Sequence, residues 1–272
     1  MLPKLAVFDV DGTLVSYDGG CSPGVRTALS RLRSAGVVTA IATGRPRQAI
    51  AETLAMVGPV DYAVCGNGST VTHVETDRVI RRSVVPGDLT ERLVQAVRND
   101  LPGVGIAIDV DDRIVEEAGL HQRLPPRDPV PTVPDALAAI GSPVPDHQRV
   151  IFFHDDFDGD LPGLASYLEP HVDDRVDIFH AMLLPVVEVI PAGDNKAAAL
   201  ADLVAHIAIS AADVVAVGDG VNDVEMLRWA GRSVAMAHAR PEVRAAADAV
   251  TGSVEDDGVA VFVEALFEEV HQ

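Results

Sequence analysis

The sequence predicts an α/β protein with a parallel-sheet core, interrupted midway by an inserted α+β domain. Short apolar runs alternate with amphipathic helical stretches from Leu5 to Cys65, and the same rhythm returns from Asn195 to the C-terminus. Between these stretches the alternation breaks down and prolines gather. A βαβ rhythm with continuous apolar strands is what a sheet covered by helices on both faces requires.

Leu5-Ala6-Val7-Phe8 reads as a buried strand. Ser22-Pro23 supplies an N-cap and a first-turn proline, and Val25, Leu29 and Leu32 follow at helical spacing before Gly36 ends the helix. Val37 to Ala42 is a second strand, Pro46 opens a second helix, and Tyr62 to Cys65 is a third strand. Toward the C-terminus a helix is expected from about Asn195 to Ile207, a strand at Val214–Val217 and a helix from Asp223 to Trp229. Ser233–Met236 is then a strand, Pro241 opens a helix, and Ala260 to Val270 forms the last one. In the middle, Val104–Asp109, Val150–His154 and Val176–Phe179 read as strands, and Leu89–Val97 and Leu161–Leu168 as helices. Arg123 to Pro145 reads as a proline-rich loop with a short helix near Ala136–Ile140. The expected layout is a discontinuous core of residues 1–84 and 188–272, with residues 85–187 inserted.

Length and composition narrow the function. The 272 residues, 48% of them hydrophobic, support a sizeable core and exclude global disorder. Two cysteines, Cys21 and Cys65, build no disulfide framework, so a reducing, cytoplasmic setting is expected. The N-terminal residues carry no secretory pattern, which deprives the sequon Asn67-Gly68-Ser69 of meaning. No apolar stretch approaches the ~18 residues of a membrane span; Ala181 to Ile190 is short and is interrupted by Pro185 and Glu188. The net charge of −20, from 41 acidic and 21 basic residues, repels polyanions and argues against nucleic acid. It equally opposes an anionic substrate, so a phosphate ester would need local positive charge for its capture.

Four segments can supply it. Asp9 follows the first strand, where open α/β sheets bind ligands, and Asp9-Val10-Asp11 is followed by a turn at Gly12. A calcium loop is excluded, because the glycine falls at the fourth position and Gly20 occupies the twelfth. A carboxylate nucleophile at phosphorus needs its charge offset, which calls for a divalent cation. Thr43-Gly44-Arg45 follows the second strand, where a hydroxyl and the next backbone amides can donate to a phosphoryl oxygen. Lys196 starts a helix against the dipole, a position that a nearby anion would explain. Gly218-Asp219-Gly220-Val221-Asn222-Asp223 is a strand, turn and helix start; Asn222 and Asp223 suit N-caps, whereas Asp219 between two glycines suits a magnesium ligand.

With these residues the chain resembles the haloacid dehalogenase-like phosphohydrolases, and most of all their Cof-type branch. That branch has a Rossmann-like core and a C2 (IIB-like) α+β cap between the second and third motifs. Asp-x-Asp-Gly-Thr-Leu and Gly-Asp-Gly-x-Asn-Asp are specific as a pair; Asn67-Gly68, Glu225-Met226-Leu227, Ala235-Met236 and Asp257-Gly258-Val259-Ala260 add to them. The resemblance implies that Asp9 attacks the phosphoryl group and that Asp11 protonates the leaving alcohol, then activates water. It implies that Thr43 and Lys196 are catalytic and that Gly12, Gly44, Arg45 and Asn222 bind phosphate. Mg2+ would be held by Asp9, Asp11 (through its backbone carbonyl), Asp219 and Asp223. One departure is Ala197, where the family usually has glycine after the lysine. The insert is expected to act as a lid, with His154, Asp155, His180 and Arg127 as polar residues of its inner face, although each is more often an ordinary structural residue. The substrate implied is a small phosphorylated metabolite, such as a sugar, cofactor or nucleotide phosphate, and the enzyme a monomer or homodimer. A phosphomutase of the same superfamily and a catalytically silent metabolite- or metal-binding regulator are the alternatives.

Overall fold

The computed structural model describes residues 1–110, 113–121, 131–180 and 185–271. They form two compact units, Met1–Arg82 with Asn195–Gln272, and Ser83–Asp194.

The first unit opens with β1 (Leu5–Phe8), α1 (Pro23–Ser34), β2 (Val38–Ala42), α2 (Ile50–Val57), β3 (Tyr62–Cys65), β4 (Thr70–His73) and β5 (Arg78–Arg82). Ser22 caps α1, its hydroxyl accepting from the Val25 amide at 3.0 Å, a contact contributing about 1 kcal/mol. Val25, Ala28, Leu29 and Leu32 form the buried stripe of that helix. A 3-10 turn at Arg47–Ala49 precedes α2, so the helix expected to open at Pro46 starts at Ile50.

The second unit contains α3 (Gly87–Asp100), β6 (Gly105–Val110), β7 (Arg113–Glu117), α4 (Ala118–His121), β8 (Thr132–Val133), α5 (Ala136–Ile140), β9 (Arg149–Phe153), α6 (Leu161–Leu168), β10 (Val176–His180) and β11 (Val187–Pro191). Its six-stranded sheet runs β10-β11-β9-β6-β7-β8. Ile106, Ile108, Val150, Phe152, Val187 and Val189 pack with the helices on one face. Asp109, Arg149 and Glu188 alternate with them and form a buried ion cluster: Arg149 Nη1 lies 3.0 Å from Glu188, and Nε 3.4 Å from Asp109. The boundary expected at residue 187 falls later, because β11 pairs with both β9 and β10 of this sheet.

The chain returns to the first unit with α7 (Lys196–His206), β12 (Val214–Gly218), α8 (Val224–Trp229), β13 (Arg232–Ala235), α9 (Pro241–Arg244), β14 (Ala249–Val250) and α10 (Gly258–His271). Its eight-stranded sheet runs β14-β13-β12-β1-β2-β3-β4-β5. Every pairing from β14 to β3 is parallel, and β4 and β5 add an antiparallel hairpin at the β3 edge. Ala6 and Phe8 join the apolar layer containing α1 and α10, while Leu5 and Val7 join the layer containing α7 and α8. Burial on both faces is why β1 reads as an unbroken apolar run. The parallel order β12-β1-β2 brings the residues after each of these strands to one sheet edge.

Candidate active site

Asp9, Thr43 and Asp219 each follow the last residue of a neighbouring parallel strand. The Asp9 amide still donates to Val217 O at 2.9 Å, and the Thr43 amide to Val64 O at 2.8 Å, so the sheet ladder sets both backbones. After Asp9 the chain folds back at once. Val10 O accepts from the amides of Thr13, Leu14 and Val15 at 3.3, 3.0 and 2.8 Å, and the Gly12 amide donates to Val15 O at 2.7 Å. Gly12 has φ +91°, and a Cβ there would stand 2.3 Å from Asp219 Oδ2. Glycine is required for both reasons. Its amide serves this turn, so Gly12 provides space at the site.

Lys196 lies at the first turn of α7, where Asn195 caps by accepting from Ala198 N at 2.8 Å. Close packing at this turn comes from Gly68, since a Cβ there would lie 2.3 Å from Asn195 O. Ala197 is a partly buried residue of the same turn. The Lys196 ammonium is fully buried, 2.5 Å from Asp9 Oδ1 and 2.6 Å from Asp223 Oδ1. The other oxygen of Asp223 accepts from the amides of Asp219 and Gly220 at 3.0 and 2.8 Å. Asp219 receives Thr13 Oγ1 on Oδ1 at 2.8 Å and the Tyr17 hydroxyl on Oδ2 at 2.7 Å, and His238 Nε2 lies 3.4 Å from Oδ2.

Carboxylate oxygens of Asp9, Asp219 and Asp223 all lie within 4.8 Å of one another, and all three residues are buried. Burial, reinforced by Asp223 and Asp219, pushes the Asp9 pKa well above its ordinary value, even with Lys196 opposing. Burial likewise raises that of Asp223. For Lys196, burial would lower the pKa, but Asp223 and Asp9 more than offset it and keep the ammonium charged. Ionised together, the three carboxylates against one ammonium would leave two negative charges in a buried cluster. Such an excess is costly unless compensated, and hard oxygen donors with this surplus fit a divalent cation.

The other expected residues fall around this cluster. Asp11 is held by Arg45 through Nη2–Oδ1 at 2.7 Å and Nε–Oδ2 at 3.0 Å, so the Arg45 guanidinium engages a carboxylate in a forked pair. The Asp11 side chain is therefore turned to Arg45 and is not one of the three clustered carboxylates. Thr43 is fully buried, and its hydroxyl accepts from the Arg45 amide at 3.0 Å, which turns that amide away from a ligand. Gly44 lies against Asn67, whose side-chain oxygen accepts from Asn222 Nδ2 at 2.9 Å. Tyr17 and His238 escaped sequence reasoning because neither belongs to a motif. Only the fold back from Gly12 and the segment after β13 bring them to Asp219.

In the second unit, His154 is a structural residue: its Nδ1 accepts from the Asp156 amide at 3.2 Å while Nε2 lies 3.2 Å from Pro102 O. His180 ends β10, Asp155 begins the turn after β9, and Arg127 lies outside the described residues.

The haloacid dehalogenase-like hydrolase family matches residues 6–263. The chain belongs to this family. Among relatives of this hydrolase is the HMP-PP phosphatase of Serratia proteamaculans (strain 568), 26% identical over 274 residues, covering 96% of this chain and 94% of the relative. A haloacid dehalogenase-like hydrolase from Bacteroides thetaiotaomicron has a TM-score of 0.83 and 27% identity, covering 97% of this chain and 99% of its own. A HAD subclass IIB sugar phosphatase shares the fold, with a TM-score of 0.75 at 23% identity over 96% of this chain and 98% of its own. The HMP-PP phosphatase of Yersinia enterocolitica is a further relative, 27% identical over 280 residues. Among the described residues, no helix is long and apolar enough to cross a membrane.

Proposed function

We propose that this chain is a magnesium-dependent phosphatase that hydrolyses a small phosphorylated metabolite through an aspartyl-phosphate at Asp9. The observation that carries the reading is the buried cluster of Asp9, Asp219 and Asp223 around Lys196. Asp9, Asp219 and Asp223 would hold the ion, with the Asp11 backbone carbonyl as a further ligand. When bound, Mg2+ offsets the charge of carboxylates and phosphoryl oxygens.

The chain's own groups then divide the work. Lys196 stays charged and steadies the Asp9 carboxylate, whose oxygen attacks phosphorus as the ester oxygen leaves. Asp11 gives that oxygen a proton and next takes one from the water that hydrolyses the aspartyl-phosphate. Both Asp11 oxygens accept from Arg45 in the structure, so the acid form, which carries its proton on one of them, requires that oxygen to leave Arg45. Thr43, accepting from Arg45 N, directs its own proton to a phosphoryl oxygen. Asn222, steadied by Asn67, would assist in holding the phosphoryl group. The inserted unit supplies the specificity, and the HMP-PP phosphatases among the relatives make HMP-PP the first compound to try, ahead of sugar phosphates.

A screen of phosphorylated metabolites with Mg2+, ranked by kcat/KM, tests the reading. Hydrolysis that stops with EDTA and returns with Mg2+ supports it, together with a single phosphoryl mass added to the Asp9 peptide after acid quench. No turnover of any phosphomonoester, including an aryl phosphate, refutes it. Dependence on a bisphosphorylated activator would assign the mutase reaction instead.

A further inference from the structure

Asp219 has a donor on each oxygen, and the two donors differ in kind. Thr13 reaches Oδ1 from the motif turn. Tyr17 reaches Oδ2 from the loop beyond it, which closes on itself through Ser16 N to Gly20 O at 2.8 Å and Gly19 N to Ser16 O at 2.8 Å. Tyr17 is 61% exposed, so its ring adds little to the core, yet its hydroxyl ends 2.7 Å from a buried carboxylate. The ring stands edge-on to His238, with centroids 6.4 Å apart and planes at 85°, and His238 Nε2 approaches the same Asp219 oxygen. Room for this approach exists because residue 12 has no Cβ; one there would lie 2.5 Å from the Tyr17 hydroxyl.

We propose that Tyr17 is a positioning residue for the divalent cation, acting through Asp219, with His238 holding its ring. This rests on the reading of Asp219 as a metal ligand. A carboxylate with one donor on each oxygen cannot rotate without breaking one of them, and each oxygen keeps a lone pair for the cation. Removing the phenol frees one end of Asp219, so the cation must then order the carboxylate as it binds. Partners of this kind typically change metal affinity by about 10–100-fold.

The test is direct binding to the full-length protein stripped with EDTA, without substrate. Mg2+ is titrated by calorimetry and Mn2+ by electron paramagnetic resonance, in wild type, Tyr17→Phe, Tyr17→Ala, His238→Ala and Asp219→Ala. Tyr17→Phe keeps the ring and removes only the hydroxyl. Its Kd for both ions is expected to rise about 10-fold or more, with the metal-free Tm unchanged. Tyr17→Ala should match it, and His238→Ala should shift Kd the same way by less. Unchanged or tighter binding by Tyr17→Phe overturns the proposal. So does weak binding confined to Tyr17→Ala, which assigns the effect to the ring. If Asp219→Ala binds both ions like wild type, the ligand reading itself fails; if it binds weakly while Tyr17→Phe is normal, only the role of Tyr17 fails.

Discussion

Replacing Lys196 with methionine keeps the length and apolar stem of the side chain and removes its charge. In the native protein the ammonium is fully buried between Asp9 Oδ1 at 2.5 Å and Asp223 Oδ1 at 2.6 Å, and Asp223 is itself inaccessible to solvent. Removing one partner of a buried ion pair costs roughly 3–5 kcal/mol, because the remaining charge is left uncompensated. At about 2–4 °C per kcal/mol for a domain of this size, the metal-free protein should lose about 6–20 °C in Tm. That is a large share of a typical stability of about 5–15 kcal/mol, so the variant should still fold at low temperature. Turnover of an aryl phosphate should fall by about 100-fold or more, the usual cost of removing one fixed charge-stabilising donor. The assay is thermal unfolding in EDTA by circular dichroism, alongside steady-state kinetics with Mg2+. A double-mutant cycle with Asp223→Asn isolates the pair, since the amide oxygen can still accept the Asp219 and Gly220 amides. The double variant should be more stable than the sum of the single losses by at least about 1 kcal/mol. A fall in Tm below about 2 °C for Lys196→Met, or strict additivity in the cycle, would show that water compensates these charges, and the reasoning from burial would fail.

Asp9→Asn should abolish aryl phosphate turnover while leaving the metal-free Tm equal to or above wild type, because it removes a carboxylate whose charge is disfavoured by burial; wild-type-like turnover would falsify the nucleophile assignment. Gly12→Ala should cost about 1–3 kcal/mol from the positive φ alone, and more from the 2.3 Å approach to Asp219, with activity falling in step. A variant as stable and as active as wild type would refute that. In the second unit, burial holds His147 below its ordinary pKa of 6.5. Nδ1 lies 2.9 Å from Pro145 O and Nε2 3.0 Å from Thr90 Oγ1, which suits a neutral ring with one donor and one acceptor. The unfolded chain gains a proton below about pH 6.5 and the folded one resists it, so stability is full above that pH and declines as pH falls through the folded pKa. Amide exchange in α3 and β9 should report this opening between pH 7 and 5, and His147→Gln should flatten the profile; equal slopes in the two proteins would count against it.

Much of the core was legible because its strands are buried on both faces. Leu5–Phe8 and Val214–Val217 show this as continuous apolar runs, and the Ser22-Pro23 start of α1 is a local signal with a local cause. The hairpin β4–β5 was not, since Thr70-Val71-Thr72-His73 looks polar and is buried only by pairing with β3. β11 was hidden for a similar reason: Glu188 interrupts an apolar run, and only its contact with Arg149 explains a buried carboxylate there. In the site, Asp9, Asp219 and Lys196 could be read from motif and strand position. The pairing of Arg45 with Asp11 could not, because side-chain partners 34 residues apart leave no trace in spacing.

The sequence by itself determined which chemistry-bearing groups meet, because carboxylates, glycines and a lysine placed immediately after apolar strands or at a helix start are local arrangements that the parallel-sheet rule brings to one edge. Tertiary structure alone decided how those charges are balanced. It placed one ammonium among three buried carboxylates, turned Asp11 to Arg45, and folded the loop after Gly12 so that Tyr17 meets Asp219. Burial and partner geometry arise from distant chain segments, such as Thr13 and Asp219, 206 residues apart. Electrostatic energies depend on those distances and on the exclusion of water, which residue spacing does not carry.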